Sequence, residues 1–313
     1  MKHSQIDVGR AELHVVELGT GRPVLFCHGF PDVWIGWRRQ MEAIADAGYR
    51  AIAIDMRGYG RSTGPDDPGA YTMFHVVGDL VGLLNALDLP NVTLVGHDFG
   101  AAACWHAGLI RPDRFNALFA ISVPFFPPGG PSIYEGMEAA GKADGFYMFR
   151  QRAPEAPAQW TDAKTCYPAM LYWTSATPAP DDRWDPFDDQ RPMYRPAPVS
   201  CPPWADPQDM AYAVAEFERT GFKRPLHYYY SLQPFSEMNM GFKGVTINQP
   251  SFFLVGEADG VNKMRPVDEA AMYRSIPGLR GVRVLHDVGH WVHREAPDAT
   301  NQILLNFLNG LDI

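Results

Sequence analysis

The sequence predicts an α/β fold: a mostly parallel sheet flanked by helices, with a mainly helical cap inserted into it. Three observations carry this. Short apolar runs of strand length alternate with helical patterns over residues 1–124, and the alternation resumes from about residue 246. Between them the chain turns rich in Tyr, Trp, Met and Phe, with no buried β run. And at 96–100 a strand pattern passes through Gly-His-Asp-Phe-Gly straight into a helix opening.

The elements follow in order. Residues 11–18 read as a half-buried strand, and 24–28 as a short, continuously apolar one. Residues 51–54, 92–95 and 117–121 repeat the second type, which suits strands covered on both faces of a parallel sheet. Helical patterns fill the gaps at 37–47, 74–87 and 101–110, and Gly48 stands where a helix C-cap belongs. After the insert come strands at 251–255 and 282–285 and helices at 268–275 and 298–308. The division is therefore a core of 1–124 plus 246–313 around a cap of 125–245. Within the cap, about 178–207 is too dense in proline for helix or central strand. Its aromatics, Trp184, Phe187, Tyr194 and Trp204, argue for an ordered, packed loop, flanked by helices of which 209–220 is the clearest.

Composition narrows the class. With 313 residues, 46% hydrophobic and 20% charged, the chain has the make-up of an ordinary globular protein with one large core or a core plus a module. A net charge of −9 argues against nucleic-acid and anionic-membrane partners. No apolar run reaches membrane-span length, and the first seven residues hold no apolar signal core. Cys27, Cys104, Cys166 and Cys201 form no C-x-x-C pair, and reduced thiols in a cytoplasm are the natural reading.

Ligands of such sheets bind at the carboxyl ends of the strands, and the chemistry-bearing residues gather there. Gly96–Gly100 describes a nucleophile elbow whose apex is Asp98, where an esterase would carry serine. A carboxylate that displaces at an alkyl carbon leaves an ester on the enzyme, whereas on an acyl group it would give a reactive anhydride. Asp98 thus points to epoxides or haloalkanes; an aspartate at this place could otherwise be a plain helix N-cap. Asp259 follows the strand 251–255, and His290 follows 282–285. The order nucleophile, acid, histidine suits hydrolysis of an ester on Asp98: His290 takes a proton from water, and Asp259 holds the imidazole. The backbone N–H groups of Phe99 and of Phe30, in His28-Gly29-Phe30-Pro31, are candidate oxyanion donors.

On four motifs, His28-Gly29-Phe30-Pro31, Asp55-Met56-Arg57-Gly58-Tyr59-Gly60-Arg61-Ser62, Gly96–Gly100 and Gly289-His290-Trp291, the chain resembles the epoxide hydrolases of the α/β-hydrolase fold. The resemblance runs from about residue 10 to the C-terminus and is poorest in the proline-rich stretch. It implies conversion of a hydrophobic epoxide to a vicinal diol, with water as co-substrate and no cofactor or metal. It also implies two cap tyrosines that hydrogen-bond the epoxide oxygen, and the family pattern selects Tyr147 and Tyr229. Tyr228 and Tyr230 would point away from Tyr229 on helix or strand alike. Phe99 departs from the tryptophan many relatives carry there. Dehalogenases of this fold use that indole to bind halide, so Phe99 tilts the reading away from a haloalkane dehalogenase. A catalytically retired binding module is the non-enzyme alternative, and the assembly is read as monomer or homodimer.

Several other residues receive expectations. Glu257 is the second candidate for the orienting acid; Asp259 is preferred because it lies further past the strand. His97 reads as a packed elbow residue, His28 as a shaper of the oxyanion loop, and His293 as a solvated helix-start residue. Asp287 is too close in sequence to His290 to be its partner. Arg57 and Arg61 read as braces of loops around the sheet edge, and Asp181, Asp182, Asp188 and Asp189 as solvated loop charges.

Overall fold

The computed structural model describes residues 1–264 and 266–311. Eight strands form one sheet: β1 (Lys2–Asp7), β2 (Glu12–Leu18), β3 (Pro23–Cys27), β4 (Arg50–Ile54), β5 (Val92–His97), β6 (Phe115–Ile121), β7 (Ser251–Gly256) and β8 (Leu279–Leu285). Their order across the sheet is β1-β2-β4-β3-β5-β6-β7-β8. From β4 to β8 every pairing is parallel, while β1 pairs antiparallel with β2, and β2 with β4. The central strands are buried along their length because Val, Leu, Ile, Phe and Ala fill both faces of each. Leu25, Leu94 and Leu118 continue one another across β3, β5 and β6 in register.

Two strands differ from the sequence reading. No strand was anticipated at β1, whose mixed polar pattern leaves it largely exposed at one edge of the sheet. At the other edge β8 begins earlier than expected and is half exposed, with Arg280 and Arg283 facing outward. Charged side chains on an edge strand discourage pairing with another chain.

The helices Arg38–Asp46, Met73–Ala86, Phe99–Ile110 and Pro297–Asn309 cover the sheet. Between β6 and β7 the described chain makes no strand. It forms helices at Ile133–Ala139, Tyr147–Gln151, Ala163–Thr174, Pro207–Thr220 and Lys223–Met238, joined by loops and short 3₁₀ turns. Pro168 and Pro234 lie inside two of these helices, where each removes one backbone hydrogen-bond donor.

The proline-rich stretch is a packed loop. Trp184 and Met193 are buried, and the Arg195 guanidinium lies 3.7 Å over the Trp173 ring. Arg191 pairs with Asp188, and Asp181, Asp182 and Asp189 are exposed. All four cysteines are free, with Cys27 and Cys104 in the core. Among the described residues no helix is long and apolar enough to cross a membrane.

Candidate active site

The carboxyl ends of β5, β6, β7 and β8 lie side by side, and each is followed by a polar residue of the site. Asp98 follows β5 at φ 55° and ψ −116°, a conformation L-residues rarely adopt. The turn is possible because a Cβ on Gly96 would overlap the backbone of Gly100, and one on Gly100 the backbone of Cys27, so both positions exclude side chains. Asp98 makes no side-chain N-cap bond to the helix it opens, which removes the plain capping role. Its Oδ1 accepts the Phe30 N–H at 2.8 Å, and the Phe99 N–H, one residue on, also favours the ionised carboxylate. Gly29 packs so closely that a Cβ there would stand 2.8 Å from Asp98 Cγ.

Asp259 and His290 meet on the far side. His290 Nδ1 is 3.2 Å from both carboxylate oxygens of Asp259, and its Nε2 faces Asp98 Oδ2 at 4.0 Å with no protein partner. Asp259 is sealed, whereas the Asp98 side chain keeps 16% of its surface open, so only the second can be reached by a ligand. Asp259 also accepts the Val261 N–H, which fixes its own turn. Glu257 is at the surface, paired with His286 at 3.2 Å, and Asp287 is exposed; neither approaches His290.

Electrostatics separate these groups. Burial pushes the Asp98 carboxyl above its ordinary pKa, against the pull of His290 and the two N–H donors. Burial alone would lower the His290 imidazole, but the charge and hydrogen bond of Asp259 and the charge of Asp98 outweigh it and raise the pKa. Tyr147 and Tyr229 are buried, which drives both phenols well above 10; they remain neutral O–H donors at ordinary pH. Their ring centroids are 5.9 Å apart at 83°, edge to face. Tyr229 stands edge-on to Phe99 at 5.0 Å and to Phe30 at 5.2 Å, so the two tyrosines roof the space above Asp98. Trp184, from the proline-rich loop, backs Tyr147 at 4.9 Å and 89°. Tyr228 turns into the interior, where its hydroxyl donates to Arg57 O, and Tyr230 is exposed.

The supporting residues bring corrections and additions. His28 shapes its loop as expected: Nδ1 donates to Gly29 O and Nε2 accepts the Met56 N–H. His97 is packed and donates from Nε2 to His290 O at 2.9 Å. His293 is not solvated. It is buried, stacked on Trp37 at 4.2 Å, because the short helix Val292–Glu295 is driven into the core with Trp291 and Val292. Burial, with Arg294 and His290 nearby, holds its pKa well below the usual value.

Arg57 and Arg61 brace loops, as expected, but beside the interior strand β4 rather than an outer strand of the sheet. Arg57 forms a buried pair with Asp79, and Arg61 reaches Glu216 on the helix Pro207–Thr220. Two residues were overlooked. Ser122, just after β6, bonds Asp259 and His290. Glu295 accepts the N–H groups of Gly289, Trp291 and Ala176 and so clamps the His290 loop on both sides. A polar residue directly after a buried strand was the available signal for Ser122; Glu295 offered none.

This sheet order, with a reactive elbow after β5 and a histidine after β8, defines a hydrolase of the α/β-hydrolase fold. The family model for that fold matches residues 22–163. Over 312 residues the chain is 47% identical to an epoxide hydrolase of Caballeronia sordidicola, covering 100% of this chain and 95% of that protein. It is 36% identical to epoxide hydrolase 3 of Siraitia grosvenorii, covering 99% and 98%. The structure of an epoxide hydrolase from an endophytic Streptomyces superposes with a TM-score of 0.91 at 33% identity, covering 99% and 95%. The chain belongs to the epoxide hydrolase family.

Proposed function

We propose that this enzyme opens a hydrophobic epoxide to a vicinal diol in two steps, through an alkyl ester on Asp98. The observation that carries the reading is the carboxylate at the elbow. Its Oδ1 is held by the Phe30 N–H, and its Oδ2 faces the unpartnered Nε2 of His290. In the first step Asp98 Oδ2 attacks a ring carbon and the carbon–oxygen bond of the epoxide breaks. Tyr147 and Tyr229 hold and protonate the departing oxygen. In the second step His290 Nε2 takes a proton from water, and the hydroxide adds to Asp98 Cγ. The charge then gathers on Oδ1 under the N–H groups of Phe30 and Phe99, at a helix N-terminus, where each donor lowers the barrier by about 3 kcal/mol. Collapse of this intermediate breaks the bond from Cγ to Oδ2, and the departing alkoxide takes the proton from His290 and leaves as the diol. The carboxylic acid left on Asp98 gives its proton back to the phenolate formed in the first step; Asp259 steadies the imidazolium meanwhile.

Charge bookkeeping favours this sequence. While Asp98 is ionised its charge helps to raise the His290 pKa. Esterification removes that charge, so the imidazole becomes easier to deprotonate when a base is needed. We take residues 125–245 as a cap that carries both tyrosines and closes an aromatic space over Asp98. The lining by Phe30, Phe99, Trp184 and the two tyrosines supports a hydrophobic substrate. Free thiols support a cytoplasmic site of action, and the protein acts on a small molecule and water as monomer or homodimer.

The test is the His290→Ala enzyme, incubated with a styrene-type epoxide and weighed intact. The reading predicts an adduct with the mass of the whole epoxide, absent from the Asp98→Asn, His290→Ala double variant. No adduct with several epoxides, but one with a haloalkane, would overturn it in favour of dehalogenation.

A further inference from the structure

We propose that Ser122 is a positioning residue for the second step: its hydroxyl fixes the tautomer and aim of His290 by bridging it to Asp259. This rests on the reading of Asp98 as the residue that is esterified.

The sheet order puts Ser122 where it can do this. β6 lies between β5 and β7, so the residue after β6 falls between Asp98 and Asp259. Ser122 is fully buried and adopts φ 75°, a left-handed conformation in which a side chain other than that of glycine is uncommon. Its N–H donates to Leu254 O at 2.9 Å, which ties this turn to β7.

The hydroxyl lies 2.6 Å from Asp259 Oδ2 and 3.0 Å from His290 Nδ1. It owns one proton. An ionised carboxylate only accepts, so that proton goes to Asp259. The contact with Nδ1 is then a hydrogen bond only if Nδ1 is the donor. The Nδ1–H is therefore shared among both oxygens of Asp259, each at 3.2 Å, and Ser122 Oγ. Neutral His290 must carry its proton on Nδ1, which leaves the Nε2 lone pair facing Asp98. Without the hydroxyl, Nδ1 keeps only two long contacts, and the imidazole loses the closest of its three anchors. The alkylation step uses Asp98 and the tyrosines and needs no proton from His290, so the effect falls on ester hydrolysis.

The experiment follows both steps in one turnover. Enzyme in excess is mixed with a styrene-type epoxide and quenched at intervals; alkyl-enzyme is read by intact mass and diol by chromatography. Ser122→Ala removes the hydroxyl and keeps the Cβ. Ser122→Gly removes both and adopts φ 75° without strain, so it separates the hydroxyl from the backbone.

In both variants alkylation stays within about twofold, while ester hydrolysis falls roughly 10- to 100-fold, the worth of a hydrogen bond to a charged group. Alkyl-enzyme then becomes the dominant form during turnover. Unchanged hydrolysis in either variant, or equal slowing of both steps, overturns the assignment. Ser122→Gly alone decides if Ser122→Ala does not fold. Should neither variant nor His290→Ala ever form alkyl-enzyme, the reading of Asp98 fails first, and this inference with it.

Discussion

The two cap tyrosines offer the sharpest separation of chemistry from folding. Consider Tyr147→Phe and Tyr229→Phe, singly and together. Each ring is held by aromatic neighbours: Tyr147 by Trp184 at 4.9 Å, and Tyr229 by Phe99 at 5.0 Å and Phe30 at 5.2 Å. Phenylalanine keeps all of those contacts. What it loses is one hydroxyl. The stability cost is therefore about 1 kcal/mol for either variant. In the proposed mechanism the chemical cost is larger, because the two hydroxyls, buried and still protonated, donate to the oxygen on which charge develops. One such donor is worth about 3 kcal/mol, so each single variant should slow alkylation roughly 100-fold. The two rings stand 5.9 Å apart and in the proposed mechanism serve one oxygen, so their effects are coupled, and the double variant should fall short of the 10⁴-fold product. Rapid quenching after mixing excess enzyme with epoxide, read by intact mass, gives the alkylation rate directly. The reasoning is refuted if the double variant alkylates within threefold of the parent, or if ester hydrolysis is the step that slows.

Four further outcomes follow from the same structure. The His290 imidazole should titrate above 6.5 in the free enzyme, and Asp98→Asn should lower that value because it removes one of the raising charges; NMR of the ring protons reads both, and no change on substitution would contradict the charge coupling. Because the base must be neutral, kcat should rise with pH when hydrolysis limits turnover, and its midpoint should lie below the free-enzyme titration, since the ester has no charge. Gly29→Ala places a Cβ against the Asp98 carboxylate and should cut alkylation by roughly 100-fold with circular dichroism unchanged; a parent-like rate would show that the carboxylate is not held where the loop fixes it. Arg294→Leu strands the buried Asp32 carboxylate, its partner at 3.4 Å, and should lower unfolding free energy in urea by about 3–5 kcal/mol; Asp32→Asn added to it should recover part of the loss.

Much of this molecule was legible because its logic is one-dimensional. Continuous apolar runs announced β3 to β7, and a residue just past such a run must emerge at the carboxyl edge of the sheet. That rule, together with the glycine-flanked elbow and the chain order of carboxylate, acid and histidine, singled out Asp98, Asp259 and His290. Tyr147 and Tyr229 came from family resemblance, because nothing in local sequence says that segments about eighty residues apart bring two rings within 5.9 Å. The omissions share a cause. β1 is an edge strand exposed on much of its length, so it has no apolar run to display. His293 looked like a surface residue because its neighbours Arg294 and Glu295 are charged, yet Arg294 is neutralised by Asp32 and Glu295 by three backbone N–H groups. Ser122 lies just past β6, where the same rule would have placed it, but a lone serine names no chemistry; Glu295 acts through backbone groups of other loops and carries no spacing signature.

The central claim is that Asp98 is esterified and then restored by water attack on its own carbonyl carbon. Isotope tracing tests it most directly. Excess enzyme is allowed one turnover of a styrene-type epoxide in ¹⁸O water, and both the diol and the peptide containing Asp98 are weighed. The account predicts a diol free of ¹⁸O, because its new oxygen is the former Oδ2 of Asp98, and one ¹⁸O gained by the Asp98 peptide. A diol that carries ¹⁸O after the first turnover, with the peptide unlabelled, would mean that water attacks the epoxide directly and would contradict the account.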